Sequence, residues 1–350
     1  MRPLMLVFAE AFNSGHSILR THSRTLRAVR KCFEVVGVCL PQGIDEAGRQ
    51  VFDRTIELSR PDDIPACINQ IRRLADTERP DVFYMPSVGM SAISIFMSNL
   101  RIAPLQIAGL GHPATTHSDC IDYVSVEEDY VGDPARFCER FLLLPKDGQP
   151  YAPSSFLGAI GARRPPDPDC THIAIASSLL KLNAVLLEAV GEIRKRCRSP
   201  VHFHFMTSGG SQFEVFRLNA ALESILPIGA YTITSCMPYR IYVNRLNDMD
   251  MFLSPFPFGN TNGIVDAFTV GLPGICKTGP EVFEWIDGAM FARASMPEWM
   301  VTETVEQPPS DSHPIAMSAR RCARGCSASA RWSAFSKAGR KCSARKCSIS

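Results

Sequence analysis

Three loops gather the side chains able to do chemistry. The densest is Pro255-Phe-Pro-Phe-Gly-Asn-Thr-Asn-Gly-Ile-Val-Asp266, which follows the apolar run Met251–Leu253 and opens a helix near Gly263. Small polar residues at a helix start leave backbone N–H groups pointing outward, where they and the helix dipole hold phosphate. Asn260, Thr261, Asn262 and Gly263 are the residues in that position, and Asp266, one turn in, is placed to accept hydrogen bonds from ribose hydroxyls. The same residues also suit a plain strand–helix turn with Asn/Thr capping and Asp in the first turn. Both readings stand at this point. Thr278-Gly-Pro-Glu281 is a second turn of this kind.

The second loop, Gly111-His-Pro-Ala-Thr-Thr-His-Ser118, offers His112 and His117 as bases. Zinc sites of the His-x-x-x-His type need a helix and an intervening Glu, which a four-residue gap on a loop lacks. No metal is therefore expected. The third, Phe12 to His22, adds His16, Arg20 and His22. His202 and His204 alternate within an apolar run and read as structural. Paired Asp can hold a divalent ion on a diphosphate, but Asp167/Asp169 lie in a proline-rich stretch and Asp248/Asp250 precede a strand, so both pairs read as structural. No Gly-x-Gly-x-x-Gly or Gly-x-x-x-x-Gly-Lys-Ser/Thr occurs, which argues against a dinucleotide or P-loop enzyme.

Each of these loops follows a short apolar strand. Leu4–Phe8, Glu34–Leu40, Asp81–Met85, Pro104–Leu110, Ile121–Ser125 and Phe141–Leu144 read as strands, with helices at 16–31, Ile64–Thr77 and Met90–Leu100 between them. The stretch 146–170 is rich in proline and reads as a connector. The rhythm then restarts with a strand at Ile173–Ala176 and a helix over Ser178–Arg196. Apolar strands alternating with helices predict parallel sheets covered on both faces. The expected fold is α/β, with two Rossmann-like domains, 1–150 and 151–309. In such sheets ligands bind beyond the carboxyl ends of the strands, where all three loops lie.

Composition narrows the class. Hydrophobic residues at 45% and charged residues at 21% are globular values. No apolar stretch is long enough for a membrane span. Thirteen cysteines occur, and the nine before residue 300 are scattered singly, as suits reduced thiols in a cytoplasmic protein. The net charge of +2 is uneven: residues 318–350 carry nine basic and no acidic side chains, leaving −7 for the rest. The body thus makes no case for nucleic-acid binding. The segment 310–350 ends in Ser, Ala, Arg, Lys and Cys without apolar periodicity. It is expected to be disordered and reads as the product of a shifted frame.

The longer motifs resemble a known family. Ser14–Ser23 (SGHSILRTHS), Tyr84–Met90 (YMPSVGM), Gly111–Ser118 (GHPATTHS), Tyr123–Asp133, Phe141–Tyr151 and Pro255–Asp287 are similar to the bacterial cytoplasmic N-glucosyltransferases of high-molecular-weight adhesins, relatives of the O-GlcNAc transferases. The resemblance runs from about Phe8 to Glu306. It implies a GT-B fold, a UDP-hexose donor, inversion at the sugar without a metal or other cofactor, and transfer to protein Asn in Asn-x-Ser/Thr sequons. Lys181 matches the lysine that neutralises the diphosphate, at the start of the first helix of the second half. Asn260, Thr261, Asn262 and Gly263 match the phosphate turn, and Asp266 matches the ribose carboxylate. His112 would stand near sugar and acceptor, and His22 or His16 on the acceptor side, so the catalytic set is His112, His22, His16 and Lys181. Cys236 occupies a place where the family has a nucleotide-contacting histidine. Relative to the family the chain is short at both ends, so the alternative expectation is a truncated remnant that binds UDP without transferring sugar.

Overall fold

The computed structural model describes residues 2–303; the expectations for 310–350 lie outside them. Two compact units form, dividing after Phe156. The division falls a little beyond residue 150 because the first connector residues stay with unit one. There the Ala152 N–H donates to the Arg20 carbonyl at 2.7 Å, and the Arg20 guanidinium lies 4.6 Å from the Tyr151 ring centre.

Unit one is a seven-stranded parallel sheet. Its elements are β1 (Leu4–Ala9), α1 (Ser17–Val29), β2 (Glu34–Cys39), α2 (Glu46–Arg49), β3 (Arg54–Glu57), α3 (Ile64–Glu78), β4 (Val82–Met85), α4 (Ala92–Ser98), β5 (Leu105–Gly109), β6 (Tyr123–Glu127) and β7 (Arg140–Leu144). The strand order is β3-β2-β1-β4-β5-β6-β7, with Leu6 opposite both Val36 and Phe83. Central strands are buried on both faces, so they are apolar without alternation. Cys67 and Ile71 of α3 and Ile93 and Met97 of α4 cover one face. Ile18 and Leu26 of α1 cover the other.

Unit two is a six-stranded parallel sheet built from β8 (Thr171–Ser178), α5 (Ala184–Arg196), β9 (Val201–Ser208), α6 (Gln212–Ile225), β10 (Tyr231–Ser235), α7 (Tyr239–Asn247), β11 (Met251–Leu253), α8 (Thr261–Thr269), β12 (Gly274–Lys277), α9 (Val282–Arg293) and β13 (Val301–Thr302). Its order is β10-β9-β8-β11-β12-β13. Strand order reverses between β1 and β4 in unit one and between β8 and β11 in unit two, the places where loops diverge and leave a crevice.

Most boundaries shift by one or two residues from the sequence reading, and three of the differences bear on the loops. Ser178 does not open a helix: it pairs with Ser208 as the last residue of β8. A single 3-10 turn, Leu179–Lys181, follows, and α5 begins only at Ala184 because the Asn183 side chain caps it, accepting from Leu186 N at 3.1 Å. Lys181 therefore sits in the turn before the helix rather than in its first turn. The helix expected near Gly263 begins at Thr261, and that expected from His16 begins at Ser17 with His16 as its cap. Among the described residues all nine cysteines are free, and no helix is long and apolar enough to cross a membrane.

Candidate active site

In unit two, the ends of β8 and β11 bring Lys181 onto the turn that starts α8. The Lys181 Nζ donates to the Gly259 carbonyl at 2.5 Å and lies 4.9 Å from the centre of the Phe258 ring. Burial pulls its pKa below the usual lysine value, and the nearby Asp287 charge works against that. Asn183, besides capping α5, donates through Nδ2 to the Phe256 carbonyl at 2.6 Å and so ties the two loops together.

Asn260 is fixed from both ends. Its side-chain Nδ2 donates to the Ala176 carbonyl of β8 at 2.6 Å. Its backbone N–H donates to both Asp287 oxygens, at 3.2 and 3.1 Å. The Asn260 side chain therefore anchors the turn. Thr261, Asn262 and Gly263 form the first turn of α8, whose N–H groups have no carbonyl within the helix to bond. Gly263 leaves room for the Asn260 amide, with which a Cβ would collide. Asp266, one turn on, is buried, and the Tyr239 hydroxyl donates to its Oδ1 at 2.6 Å.

Sequence reasoning did not single out Asp287. It lies on α9, 1% exposed, and accepts from the Ser254 hydroxyl at 2.6 Å as well as from Asn260. Burial raises its pKa to about 6, against the hydrogen bonds and the Lys181 charge that favour ionisation. The available signal was an acid at a position where α9 buries Ile286 and Ala289.

In unit one, His112 follows β5. Its ring packs on Gly89, which has φ of +101°, and a Cβ there would lie 3.3 Å from the ring. The loop is pinned by Glu139, a second residue the sequence reading missed. Thr115 Oγ1 donates to its carboxylate at 2.8 Å and Thr116 N at 2.6 Å, and the Thr116 hydroxyl donates as well. Burial alone would raise the Glu139 pKa, but these bonds outweigh it and the net direction is down.

The other two histidines lie apart in character. His16 caps α1, its Nδ1 accepting from Ile18 N at 3.3 Å. His22 is 2% exposed, behind the end of β5, where a Cβ on Gly109 would lie 2.9 Å from its Nε2. Its Nδ1 bonds the Thr21 hydroxyl at 2.7 Å, and burial lowers its pKa to about 4. His22 thus backs the loop as packing, and His16 is the more accessible of the pair. Cys236 is exposed after β10, with φ of +46°, and its N–H donates to the Thr207 carbonyl at 3.1 Å.

The paired Asp residues hold backbone. Asp250 accepts from His172 N at 2.8 Å, Asp248 from Arg164 N at 3.3 Å, and Asp167 from Asp169 N at 2.9 Å. Among the described residues no cluster of three or more His, Cys, Asp or Glu could hold a metal ion.

No family model matches the sequence. The chain is 43% identical over 307 residues to the UDP-glucose:protein N-beta-glucosyltransferase of Actinobacillus pleuropneumoniae serotype 5b (strain L20), and 44% identical to that of serotype 7 (strain AP76). Each match covers 87% of this chain and 49% of the relative, so the chain spans about half the length of these curated relatives. Among solved structures, a K341M mutant of the Thermobaculum terrenum O-GlcNAc transferase aligns over 97% of this chain and 64% of its own, with a TM-score of 0.78 and 18% identity. The sucrose-phosphate synthase of Thermosynechococcus elongatus aligns over 97% of this chain and 94% of its own, at a TM-score of 0.55 and 11% identity. The fold is that of the GT-B glycosyltransferases, two parallel-sheet α/β domains.

Proposed function

We propose that the chain transfers a hexose, glucose by analogy with its relatives, from a UDP-hexose to the side-chain amide of protein Asn in Asn-x-Ser/Thr sequons, with inversion. The observation that carries the donor half of this reading is the meeting of Lys181 with the α8 N-terminus at the reversal point of the second sheet. The 43% identity to glucosyltransferases supports the sugar and the protein acceptor. Residues 151–309 are then the donor half and 1–150 the acceptor half. Adhesin-like acceptors and a cytoplasmic setting belong to the same reading.

In glycosyl transfer the anomeric carbon gains oxocarbenium character while negative charge collects on the departing diphosphate. Lys181 and the N–H groups at the start of α8 (Thr261, Asn262, Gly263) meet that charge. They stabilise it more in the transition state than in the ground state, because the charge grows as the bond breaks. This assigns to fixed protein donors the work a divalent ion does elsewhere. Asp266 accepts from the ribose hydroxyls, with Tyr239 holding the carboxylate in place. His112, on the pinned loop of unit one, takes the proton released as the acceptor nitrogen attacks. His16 adds a polar contact on the acceptor side.

The test is direct. Saturating UDP in EDTA raises the melting temperature of the full chain, and UDP-glucose with an Asn-x-Thr peptide gives a hexose mass increment. Asp266→Asn weakens the UDP response. No melting shift, or a shift only with Mn²⁺, overturns the donor reading. UDP binding without any hexose transfer overturns the enzymatic reading and leaves a nucleotide-binding remnant.

A further inference from the structure

The Gly259 carbonyl and the Asn260 N–H belong to one peptide group, and that group is gripped at both poles. Lys181 Nζ donates to its oxygen, and the Asp287 carboxylate accepts from its N–H. The grip leaves no spare room: a Cβ on Gly259 would collide with the Asp287 carboxyl group. Ser254, just past β11, holds the same carboxylate from the strand side. A cation and a buried anion thus face each other across a single amide, at the point where the phosphate turn enters α8.

We infer that Asp287 is a positioning residue of the donor site: it sets the Gly259–Asn260 peptide and remains its anchor when Lys181 leaves the Gly259 carbonyl for the diphosphate. The inference rests on the donor reading above. In the unliganded state Lys181 is held by a backbone oxygen and kept company by a buried negative charge. An arriving diphosphate takes over as counter-ion and draws the ammonium away. The Asp287 bonds from Asn260 N and Ser254 Oγ then hold this peptide, alongside the Asn260 Nδ2 bond to the Ala176 carbonyl.

The exchange has an electrostatic signature. Two anions, the diphosphate and Asp287, come to share one lysine in a partly desolvated pocket, which favours the neutral form of the carboxyl group. Asp287 already titrates near 6 because of its burial. The groups that face it are Lys181 from the turn after β8, Ser254 from the end of β11, the Asn260 N–H, and the Cys276 thiol of β12, which burial holds protonated. Burial sets the Asp287 transition at the edge of the window from pH 6 to 8 and lowers the Lys181 pKa as well, so the difference between wild type and Asp287→Asn is the quantity to read. UDP-glucose, a diphosphate diester, is itself constant there. Binding of UDP-glucose is therefore accompanied by proton uptake, and affinity rises as pH falls from 8 to 6, by at most about tenfold per unit.

The experiment is UDP-glucose titration by calorimetry of the full chain, from pH 6 to 8 and in two buffers of different ionisation enthalpy. Wild type takes up a fraction of a proton on binding. Asp287→Asn keeps an acceptor for the Asn260 N–H, binds at most about tenfold more weakly, and takes up measurably less proton than wild type. Ser254→Ala removes a donor that favours the ionised form, so it moves the midpoint of the pH profile upward. Gly259→Ala, which forces the carboxylate aside, weakens binding. A wild-type chain that binds without proton uptake, or an Asp287→Asn chain with the wild-type profile, overturns the inference while leaving the donor reading intact. A wild-type chain that does not bind UDP-glucose overturns both. If Asp287→Asn does not fold, the Ser254→Ala midpoint decides: an unmoved midpoint overturns the inference.

Discussion

Both units use a buried carboxylate to shape a loop, and the two carboxylates are pushed in opposite directions. Asp287 is served by two donors, the Ser254 hydroxyl and the Asn260 N–H, and burial wins, raising its pKa to about 6. Glu139 is served by Thr115 Oγ1, Thr116 N and Thr116 Oγ1, and the hydrogen bonds win, holding it below the usual glutamate value. The contrast shows that burial alone does not fix the charge of an interior acid. Deeper burial at Asp287, 1% exposed against 7% for Glu139, and the larger supply of N–H and O–H groups at Glu139 set it together. Unit one thus holds its histidine loop with a carboxylate whose hydrogen bonds favour the charged form, while unit two holds the turn into α8 with one whose burial favours the neutral form.

The largest effect expected is on the donor side. If Lys181 meets the leaving diphosphate as proposed, Lys181→Ala lowers transfer to an Asn-x-Thr peptide about 10²–10³-fold, as for loss of one preorganised donor. The chain remains folded by circular dichroism, since Lys181 donates to a carbonyl that water can serve. A loss under tenfold breaks the assignment of Lys181.

Next comes the clasp of unit one. Glu139→Ala strands the Thr116 N–H and two hydroxyls, costing about 1–3 kcal/mol in urea unfolding. It slows transfer through the displaced His112 loop but leaves UDP affinity unchanged. Glu139→Gln costs less, because its amide oxygen still accepts. A Glu139→Ala chain with reduced UDP affinity would show that the units do not divide the work as described.

Acid separates His22 and Asp287 by sign. His22 has a folded-state pKa of about 4 against an ordinary 6.5. The unfolded chain therefore binds a proton first as pH falls below 6.5, and stability is lost from there down to about 4. By pH 5 the loss is about 2 kcal/mol, and a His22→Gln chain shows a flatter stability profile over that window. Asp287 works the other way and more weakly. Its raised pKa means its buried charge is a burden at neutral pH, relieved as pH falls through 6. Wild type therefore gains on Asp287→Asn by about 1 kcal/mol between pH 7 and 5. His204, whose pKa burial lowers to about 3, opposes this in the same unit, so the wild-type minus variant difference is the quantity to read.

What the residues disclosed in advance follows the range of their interactions. The strand–helix rhythm and the helix at α3 are local patterns, and apolar spacing at Ile64, Cys67, Ile68 and Ile71 writes them plainly. The turn into α8 was legible because Asn, Thr and Gly cluster within four residues. Ser178 misled because a serine before an apolar run looks like a helix cap, yet pairing with β9 extended the strand through it and gave the cap to Asn183. Asp287 and Glu139 were invisible for another reason. Asp287 lies 27 residues from Asn260, and Glu139 lies 24 from Thr115. Such bonds exist only once the sheet has set neighbouring loops side by side. His22 reads identically in sequence to His16 in offering an imidazole, and only the packing of α1 on the sheet makes one a cap and the other part of the interior.

The cap at the start of α1 also settles the chemistry that His16 presents. A ring nitrogen that accepts from Ile18 N carries no hydrogen, so in the neutral ring the hydrogen resides on Nε2. Burial lowers the pKa of His16 and keeps that neutral form dominant. Whatever reaches Nε2 thus meets an N–H, the polarity of an amide donor, suited to a carbonyl or hydroxyl oxygen. To act as a base at Nε2 the ring must exchange tautomers, and that releases the helix cap, at a cost of about 1 kcal/mol. The helix is in this sense the keeper of the tautomer, and the ¹⁵N shifts of the His16 ring report whether it has let go.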